Sequence, residues 1–260
     1  MKQTYGLHRI IALEPSIAAT LIALGQQTKL VAVSEHCQHL PAVASLPRLP
    51  STWSIRVDAI TPLRPDLVIA SAPFQAESVA ALLQAQVDVL CLAPTCLADV
   101  YRHIALLGKL TDAALAADNL IDKMQADLAT LQQTVAGRPR PRVYVEMWPK
   151  PAMNSMTWVA ELVEVAGGEF VPLPPGRTVM LEELQMADPQ VIVVAWAGVP
   201  TPNLAQVYRR AGWQAIGAIR TGNVFAVDEM LLNAPGPNLV QGAWQLAAAL
   251  HGISRGKEKP

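Results

Sequence analysis

A long helical pattern in the middle of the 260-residue chain limits the folds that it can adopt. Between residues 112 and 135, apolar residues recur at helical spacing over roughly 24 residues, which predicts a helix of about 36 Å. Thr111 is placed to cap this helix, and Gly137 with the Arg-Pro-Arg-Pro segment after it stops the helix. A helix of this length and position favours a rigid connector between two lobes, while an ordinary packing helix within one domain is the alternative.

Short β-branched runs alternate with helical stretches on both sides of this helix, as in α/β folds. Strands are predicted at 9–13, 30–33, 67–70, 87–92, 143–146, 191–195 and 224–227, and a helix at 16–24 with Ser16 as its N-cap and Gly25 at its end. We expect two Rossmann-like lobes with parallel sheets joined by a single long helix. The expected regions are an N-terminal lobe over 1–96, a connecting helical region over 97–141 and a C-terminal lobe over 142–260.

A weak internal repeat supports the two lobes. The segment DAITPLRPDLVIA begins at Asp58, and EELQMADPQVIVV begins 124 residues later at Glu182. In both, an acidic residue opens a short helix, a proline ends it, and a buried parallel strand follows. Helix–proline–strand is a common unit, so coincidence is the alternative.

Composition excludes several functions. The net charge is −1, with 20 Lys and Arg against 21 Asp and Glu and no long basic run, which argues against nucleic-acid binding. The longest uncharged segment, 191–208, contains two prolines and becomes polar halfway, so it predicts a buried strand and loop rather than a membrane helix. No catalytic motif is present, and we expect no enzymatic activity.

Residues that follow the predicted strands form the candidate binding surface, because ligands bind at strand ends in open α/β sheets. These positions are aromatic, apolar and rich in proline, which suits a large, flat, partly apolar ligand. Ordinary core packing is the alternative for each tryptophan. The candidate ligand-binding residues are Pro15, Ser16, His36, Cys37, Trp53, Phe74, Trp148, Trp196, Met230 and Asn233.

The segment VSEHCQHLP, residues 33–41, is the richest in metal-capable side chains. A metal cage shared by both lobes is disfavoured, because of the five histidines only His251 lies in the second half of the chain. Two interpretations stay open. The segment is a solvated polar loop, or His36 or Cys37 gives an axial contact to a metal already held inside a macrocycle.

Several segments resemble a known family. They include RIIALEPSIAATLIALG, VAVSEHCQHLPAVASLPRLPSTW, LRPDLVIAS, DPQVIVVAW and GWQAIGAIRTGNVFAVDEMLLNAPGPNLVQGAWQLAAALHG, in this order along the chain. The chain resembles the helical-backbone substrate-binding proteins of ABC importers, in particular the vitamin B12 (cobalamin) branch. The resemblance implies two α/β lobes with the ligand in the cleft between them.

The resemblance also implies roles for individual residues. Asp58 and Glu182 match the acidic residues that dock on arginines of the membrane permease, although the first lobe usually carries Glu. His36 stands where the B12 branch offers an aromatic side chain, and Trp53 matches a tryptophan that packs on the ligand. The family's tryptophan after the third strand is Ser71 here, and a common arginine is Asn238.

Taken with the strand-end residues, the resemblance implies a monomer that captures a corrinoid and delivers it to an ABC importer, with no cofactor. Haem or an iron–siderophore complex is the alternative ligand, with His36 as an axial ligand to a macrocycle-bound metal. A cytoplasmic corrinoid-binding or sensing protein is another alternative. A periplasmic or extracytoplasmic location is implied, while the first residues, MKQTYGLHRIIALEPS, show no signal peptide and leave a cytoplasmic location open.

Overall fold

The computed structural model describes residues 6–50, 54–71 and 76–253. The chain divides into two compact units. Unit 1 comprises Met1–Pro94 and Ala98–Lys123, and unit 2 comprises Thr95–Leu97 and Met124–Pro260. Each unit is an α/β fold built on a mainly parallel sheet, as predicted.

Unit 1 contains a five-stranded sheet in the order β3-β2-β1-β4-β5, and every neighbouring pair is parallel. The strands are β1 Ile10–Ala12, β2 Leu30–Ser34, β3 Arg48–Leu49, β4 Leu67–Ser71 and β5 Val89–Leu92. The four predicted strands are confirmed, and the two-residue β3 was missed. β1 lies in the centre with all three residues fully buried, because helices cover both faces of such sheets.

The helices of unit 1 are α1 Pro15–Ala23, α2 Val57–Ile60, α3 Ala76–Gln84 and α4 Leu97–Leu110. α1 begins at Pro15, which is favoured in a first helical turn because its fixed φ matches the helix. Ser16 therefore lies inside the helix, and the prediction that it caps α1 is wrong, since no side chain caps this helix. Gly25 ends the helix in the left-handed region at φ +70°, as predicted.

The long helix, α5 Ala114–Val135, continues from unit 1 into unit 2. The predicted start at Asp112 is wrong, because Asp112 adopts the left-handed conformation, φ +60°, between α4 and α5. Thr111 does not cap α5. Its hydroxyl donates to the carbonyl of Leu107 at 2.7 Å, at the end of α4. The predicted end at Val135 is confirmed, and Gly137 follows at φ +76°.

Unit 2 contains a second five-stranded sheet in the order β10-β9-β6-β7, with β8 paired to β6. The strands are β6 Arg142–Pro149, β7 Ala152–Asn154, β8 Glu169–Phe170, β9 Val191–Val194 and β10 Val224–Ala226. Only β6 and β7 are antiparallel in this sheet. The three predicted strands are confirmed, while β7 and β8 were missed because neither is longer than three residues.

The remaining helices are α6 Thr157–Val165, α7 Leu181–Ala187, α8 Ala205–Tyr208, α9 Gly217–Thr221 and α10 Leu239–His251. A cluster of buried side chains from β6, β9 and the segment after α8 fills one face of the sheet, with Tyr144, Trp196 and Trp213 among its members. The buried residues of the two central strands, β6 and β9, are apolar or aromatic with one exception, Glu146.

The internal repeat is present in the structure. α2 and α7 begin 124 residues apart, at Val57 and Leu181, and β4 and β9 begin 124 residues apart, at Leu67 and Val191. The repeat therefore extends from the sequence into the element boundaries. None of the helices in the described ranges is long and apolar enough to cross a membrane.

Candidate functional site

An acidic side chain lies inside unit 2, in the central strand β6 at the position where its pairing with β9 ends. Glu146 of β6 has no exposed surface, and its carboxylate accepts hydrogen bonds from three side chains. Arg210 donates through both terminal nitrogens at 2.5 and 3.0 Å, and the Trp196 indole N–H donates at 2.7 Å. A buried charge is tolerated only when it is paired and hydrogen-bonded, and this carboxylate meets both conditions.

Aromatic rings enclose the guanidinium of Arg210. Its Cζ lies 4.4 Å from the centre of the Trp213 ring and 5.6 Å from that of Trp196, within the range of cation–π attraction. Tyr144 meets Trp213 edge-on at 6.2 Å, and its hydroxyl donates to Glu146 at 3.3 Å. Burial, and then the charge of Glu146, raise the pKa of Tyr144 well above its ordinary value, so the phenol remains a neutral donor.

Sequence reasoning missed Glu146, Arg210 and Tyr144. An acid within the otherwise apolar run VYVEMWP was the available signal, because an unpaired carboxylate would not be placed inside a buried strand. The partner was not visible in the sequence, since Arg210 lies 64 residues further on.

The two candidate tryptophans of unit 2 lie in different environments. Trp196 is only 3% exposed, and its indole N–H is used by Glu146. Trp148 is 44% exposed, and its indole N–H donates to the carbonyl of Lys150 at 3.1 Å. Trp148 thus presents an aromatic surface for stacking, whereas Trp196 stabilises the buried ion pair between Glu146 and Arg210.

The loop after β10 carries the candidates Met230 and Asn233. Its start is held by Asp228, whose carboxylate accepts from the backbone N–H of Met230 at 3.0 Å. The amide nitrogen of Asn233 donates to the carbonyl of Ala195 at 2.7 Å, directly after β9. α10 packs closely against this loop at Gly242. A Cβ at that position would overlap the backbone carbonyl of Leu231, so the close contact requires glycine. Asn233 is therefore fixed next to the carboxyl end of β9, and Met230 is fixed within the loop by Asp228.

In unit 1, the candidates Pro15 and Ser16 are buried in the first turn of α1, directly after the central strand. His36 and Cys37 lie in the 3-10 turn Glu35–His39 after β2, where the Ser34 hydroxyl accepts from the N–H of His36 at 3.1 Å. The first turn of α1 and this 3-10 turn both follow parallel strands, as the strand-end rule predicts.

The side chains of His36 and Cys37 differ in exposure. His36 is exposed, whereas Cys37 is completely buried. Burial raises the pKa of the Cys37 thiol to about 12, so at neutral pH it is a protonated core side chain. Within residues 6–50, 54–71 and 76–253, no three His, Cys, Asp or Glu side chains lie close enough together to hold a metal ion. An axial contact from His36 to a macrocycle-bound metal stays a prediction.

Two further candidates, Trp53 and Phe74, lie outside the described residues.

The two predicted docking acids are both exposed but are paired differently. Asp58 in the first turn of α2 forms an ion pair with Arg56 at 2.5 Å. Arg177, in the segment before α7, makes a bidentate pair with Glu183 in the first turn of α7, with both distances 2.9 Å. Glu182 is exposed and has no ion-pair or hydrogen-bond partner among the described residues.

The model of the periplasmic binding protein family matches residues 10–231. An uncharacterised ABC transporter substrate-binding lipoprotein of Bacillus subtilis is 26% identical, covering 94% of this chain and 80% of its own length. A cobalamin-binding protein of Halobacterium salinarum is 28% identical, covering 94% of this chain and 69% of its own length.

Among solved structures, the periplasmic haem-binding protein RhuT from Roseiflexus sp. RS-1, in its apo form, superimposes with a TM-score of 0.82. The two chains are 21% identical, and the match covers 95% of this chain and 99% of RhuT. At this identity the likeness shows the fold, and it agrees with the two α/β units described above.

Proposed function

This chain belongs to the periplasmic binding protein family, and from that premise we propose that it captures a corrinoid and delivers it to an ABC importer. The family consists of substrate-binding transport proteins and not of enzymes, so the chain is a substrate-binding protein. Such proteins bind a small molecule and act together with a membrane permease.

The observation that carries the corrinoid assignment is the alignment of the cobalamin-binding relative over 94% of this chain. The exposed ring of Trp148 and the half-buried Met230 at the strand ends of unit 2 support it, because a corrin ring has a broad apolar face. Contacts from Pro15, Ser16, Trp53, Phe74 and the remaining candidates belong to the same proposal.

Haem is the second candidate ligand. The fold is shared with a haem-binding protein, and the exposed imidazole of His36 is free of any hydrogen bond through its ring nitrogens in the described part of the chain. A neutral imidazole is a common axial ligand to haem iron. His36→Ala would then change the visible spectrum of a haemin complex, while a corrinoid complex without such a bond would keep its spectrum.

The ligand is tested by mixing the purified protein with cyanocobalamin, cobinamide and haemin, and by measuring visible spectra and calorimetric affinities. We expect a corrinoid dissociation constant of about 1 μM or lower. Trp148→Ala should weaken binding roughly fivefold to tenfold through lost stacking. Phe225→Ala removes a ring that is 36% exposed on β10 and serves as the control. Tight haemin binding with no corrinoid binding would replace corrinoid with haem in this proposal.

The permease is proposed to contact Asp58 and Glu182. Both carboxylates are exposed, each lies in the first turn of a short helix, and the two helices begin at equivalent positions of the internal repeat. Carboxylates so placed are available to arginines of a partner protein. This role requires the protein to meet its permease outside the cytoplasm, so an extracytoplasmic location is part of the proposal.

A further inference from the structure

Two asparagines in the segment between β10 and α10 have the same unusual hydrogen bonding. The Asn233 amide nitrogen donates to the carbonyl of Ala195, and the Asn238 amide nitrogen donates to the carbonyls of Met230 and Ala234. In both residues the side-chain oxygen is buried and accepts from no group in the described part of the chain. A buried acceptor without a donor is costly, so each oxygen calls for a partner.

The orientation of the Asn233 amide follows from its partner. The carbonyl of Ala195 can only accept, so the group facing it at 2.7 Å must be the amide nitrogen. The oxygen, Oδ1, is consequently held as an acceptor at the other end of the planar amide group. The backbone N–H of Asn233 is also fixed, because it donates to Glu229 at 2.7 Å. Asn233 is thus held by hydrogen bonds from both its backbone N–H and its side-chain amide nitrogen, and these fix the position of Oδ1.

Asn233 differs from Asn238 in its place in the fold. Asn238 precedes α10 and bonds only within its own loop, which makes its role internal to the segment 230–238. Asn233 bonds to the residue that directly follows β9, where ligands bind in parallel α/β sheets. Ala195 in turn donates to the carbonyl of Glu146, so Asn233 is attached to the two strand ends of unit 2 that precede Trp148 and Trp196.

We propose that Asn233 is a specificity-determining residue, whose Oδ1 accepts a hydrogen bond from a carboxamide N–H of the ligand. The inference rests on the proposed function and narrows its ligand class. Corrinoids carry carboxamide side chains around the ring, whereas haem carries propionate carboxylates. An anchored acceptor binds an amide N–H and repels a carboxylate, and a site built for a hydrogen bond discriminates strongly against ligands that lack the donor.

The test compares a ligand that carries amides with the same ligand carrying acids. Cobinamide and dicyanocobyrinic acid, in which the side chains are free carboxylates, are titrated into wild type, Asn233→Ala and Asn238→Ala by calorimetry. We expect wild type to bind cobinamide at least roughly tenfold tighter than the acid. Asn233→Ala should lose most of this ratio. Asn238→Ala loosens the same loop but keeps the acceptor, so it should weaken both ligands alike and preserve the ratio.

Equal affinities of wild type for cobinamide and dicyanocobyrinic acid would overturn the inference. An unchanged ratio of these affinities in Asn233→Ala would also overturn it, because Oδ1 would then have its hydrogen-bond donor within the protein. Circular dichroism of each variant shows whether it is folded, and Asn233→Leu, which also lacks the acceptor, serves if Asn233→Ala is not folded. If wild type binds haemin and no corrinoid, the corrinoid proposal fails separately. Haemin and its bis-amide then replace the pair, and only a preference for the bis-amide that Asn233→Ala removes would support the inference.

Discussion

Unit 1 and unit 2 start their central strands with the same arrangement of side chains. Arg9 precedes β1 and donates to the carbonyls of Leu63 and Arg64, and Arg142 starts β6 and donates to those of Ala187 and Asp188. The accepting turns are equivalent in the repeat. In both, the last residue before a proline is left-handed, with φ +45° at Arg64 and +38° at Asp188.

The residues after these prolines also correspond. Asp66 accepts the backbone N–H groups of His8 and Arg9, both at 2.8 Å. Gln190, at the matching position, accepts the N–H of Arg142 at 3.0 Å. A carboxylate and an amide oxygen thus satisfy the same free donors at the start of the central strand. The repeat preserves hydrogen-bonding roles more strictly than residue types.

The units differ four residues after these arginines, further along the same strand. Leu13 follows β1 and is fully buried, whereas the equivalent position in β6 is Glu146, buried with Arg210. The unit 1 position needs only apolar packing, while the unit 2 position needs a cation and two neutral donors. Unit 2 is therefore more sensitive to substitution here, because removing one partner leaves a buried charge.

The largest expected effect on stability comes from replacing Glu146 of unit 2 by leucine, the residue at the equivalent position, Leu13, of unit 1. Glu146→Leu should lower the free energy of unfolding by about 3–5 kcal/mol, because Arg210 loses its partner while only 17% exposed. Adding Arg210→Leu should restore at least half of the loss. Urea unfolding is followed by tryptophan fluorescence, which reports chiefly on unit 2 because only Trp53 lies in unit 1.

The control for charge removal is Glu164→Leu. Glu164 pairs with Arg140 on the surface of unit 2, with 48% and 57% of the two side chains exposed, so its loss should cost no more than about 1 kcal/mol. A Glu146→Leu protein as stable as wild type would show that the buried pair contributes no net stability, and the contrast between the two strand ends would disappear.

The proposed docking acids, Asp58 and Glu182, show a second difference between the units, and we expect substitutions there to have effects of intermediate size. Asp58 forms an ion pair with Arg56, whereas Glu182 has no ion-pair partner among the residues that the structure describes, and the nearby Arg177 pairs with Glu183. We expect Glu182→Gln to reduce corrinoid uptake severalfold and Asp58→Asn to reduce it less, with unchanged ligand affinity in both. Uptake is measured in vesicles that carry the cognate permease.

Glu169→Gln, at another exposed acid of unit 2, is the control for a general charge effect on uptake. A loss in Asp58→Asn that equals or exceeds the loss in Glu182→Gln would contradict the inequality of the two units. Unchanged uptake in both variants would remove these acids from the docking proposal.

The fold followed from the sequence because its signals are local. β-branched runs of four or five residues mark the buried strands, and the left-handed Gly25 and the Gly137 stop mark helix ends. The predicted start of α5 at Asp112 was also wrong for a local reason. Asp112 can adopt a left-handed turn between two helices, and apolar periodicity does not reveal such a break.

Side-chain pairing could not be predicted, because it depends on distant segments. Glu146 and Arg210 meet only after α8 returns to the sheet, and the orientation of the Asn233 amide depends on Ala195, 38 residues earlier. Burial of Cys37 between the exposed side chains of His36 and Gln38 depends on how one short 3-10 turn lies on the sheet. Strand-end position identified the candidate surface, but not which side chains face outward.

The smallest expected effect concerns the pKa values of Asp58 and Glu183. The ion pairs Asp58–Arg56 and Glu183–Arg177 should differ in how far the pKa of the acid depends on its arginine. The hydrogen bond from Arg56 is the largest factor that lowers the pKa of Asp58, and that from Arg177 is the largest for Glu183. Glu183 also accepts from the backbone N–H of Met180 at 2.9 Å, which lowers its pKa further.

Arg56→Gln should therefore raise the pKa of Asp58 most of the way towards its ordinary range, because the backbone N–H groups of Asp58 and Ala59 are its smallest lowering factors. Arg177→Gln should raise the pKa of Glu183 less completely, because the N–H of Met180, its second-largest factor, still donates. A lowered pKa favours the ionised form in the folded state, so each pair stabilises the fold above the unfolded pKa and loses this contribution as the pH falls through the folded value. Carbon-13 NMR of the carboxyl groups measures both values. Equal recovery of the two pKa values would show that the Met180 N–H does not hold Glu183, and that the two helices present their acids in the same way.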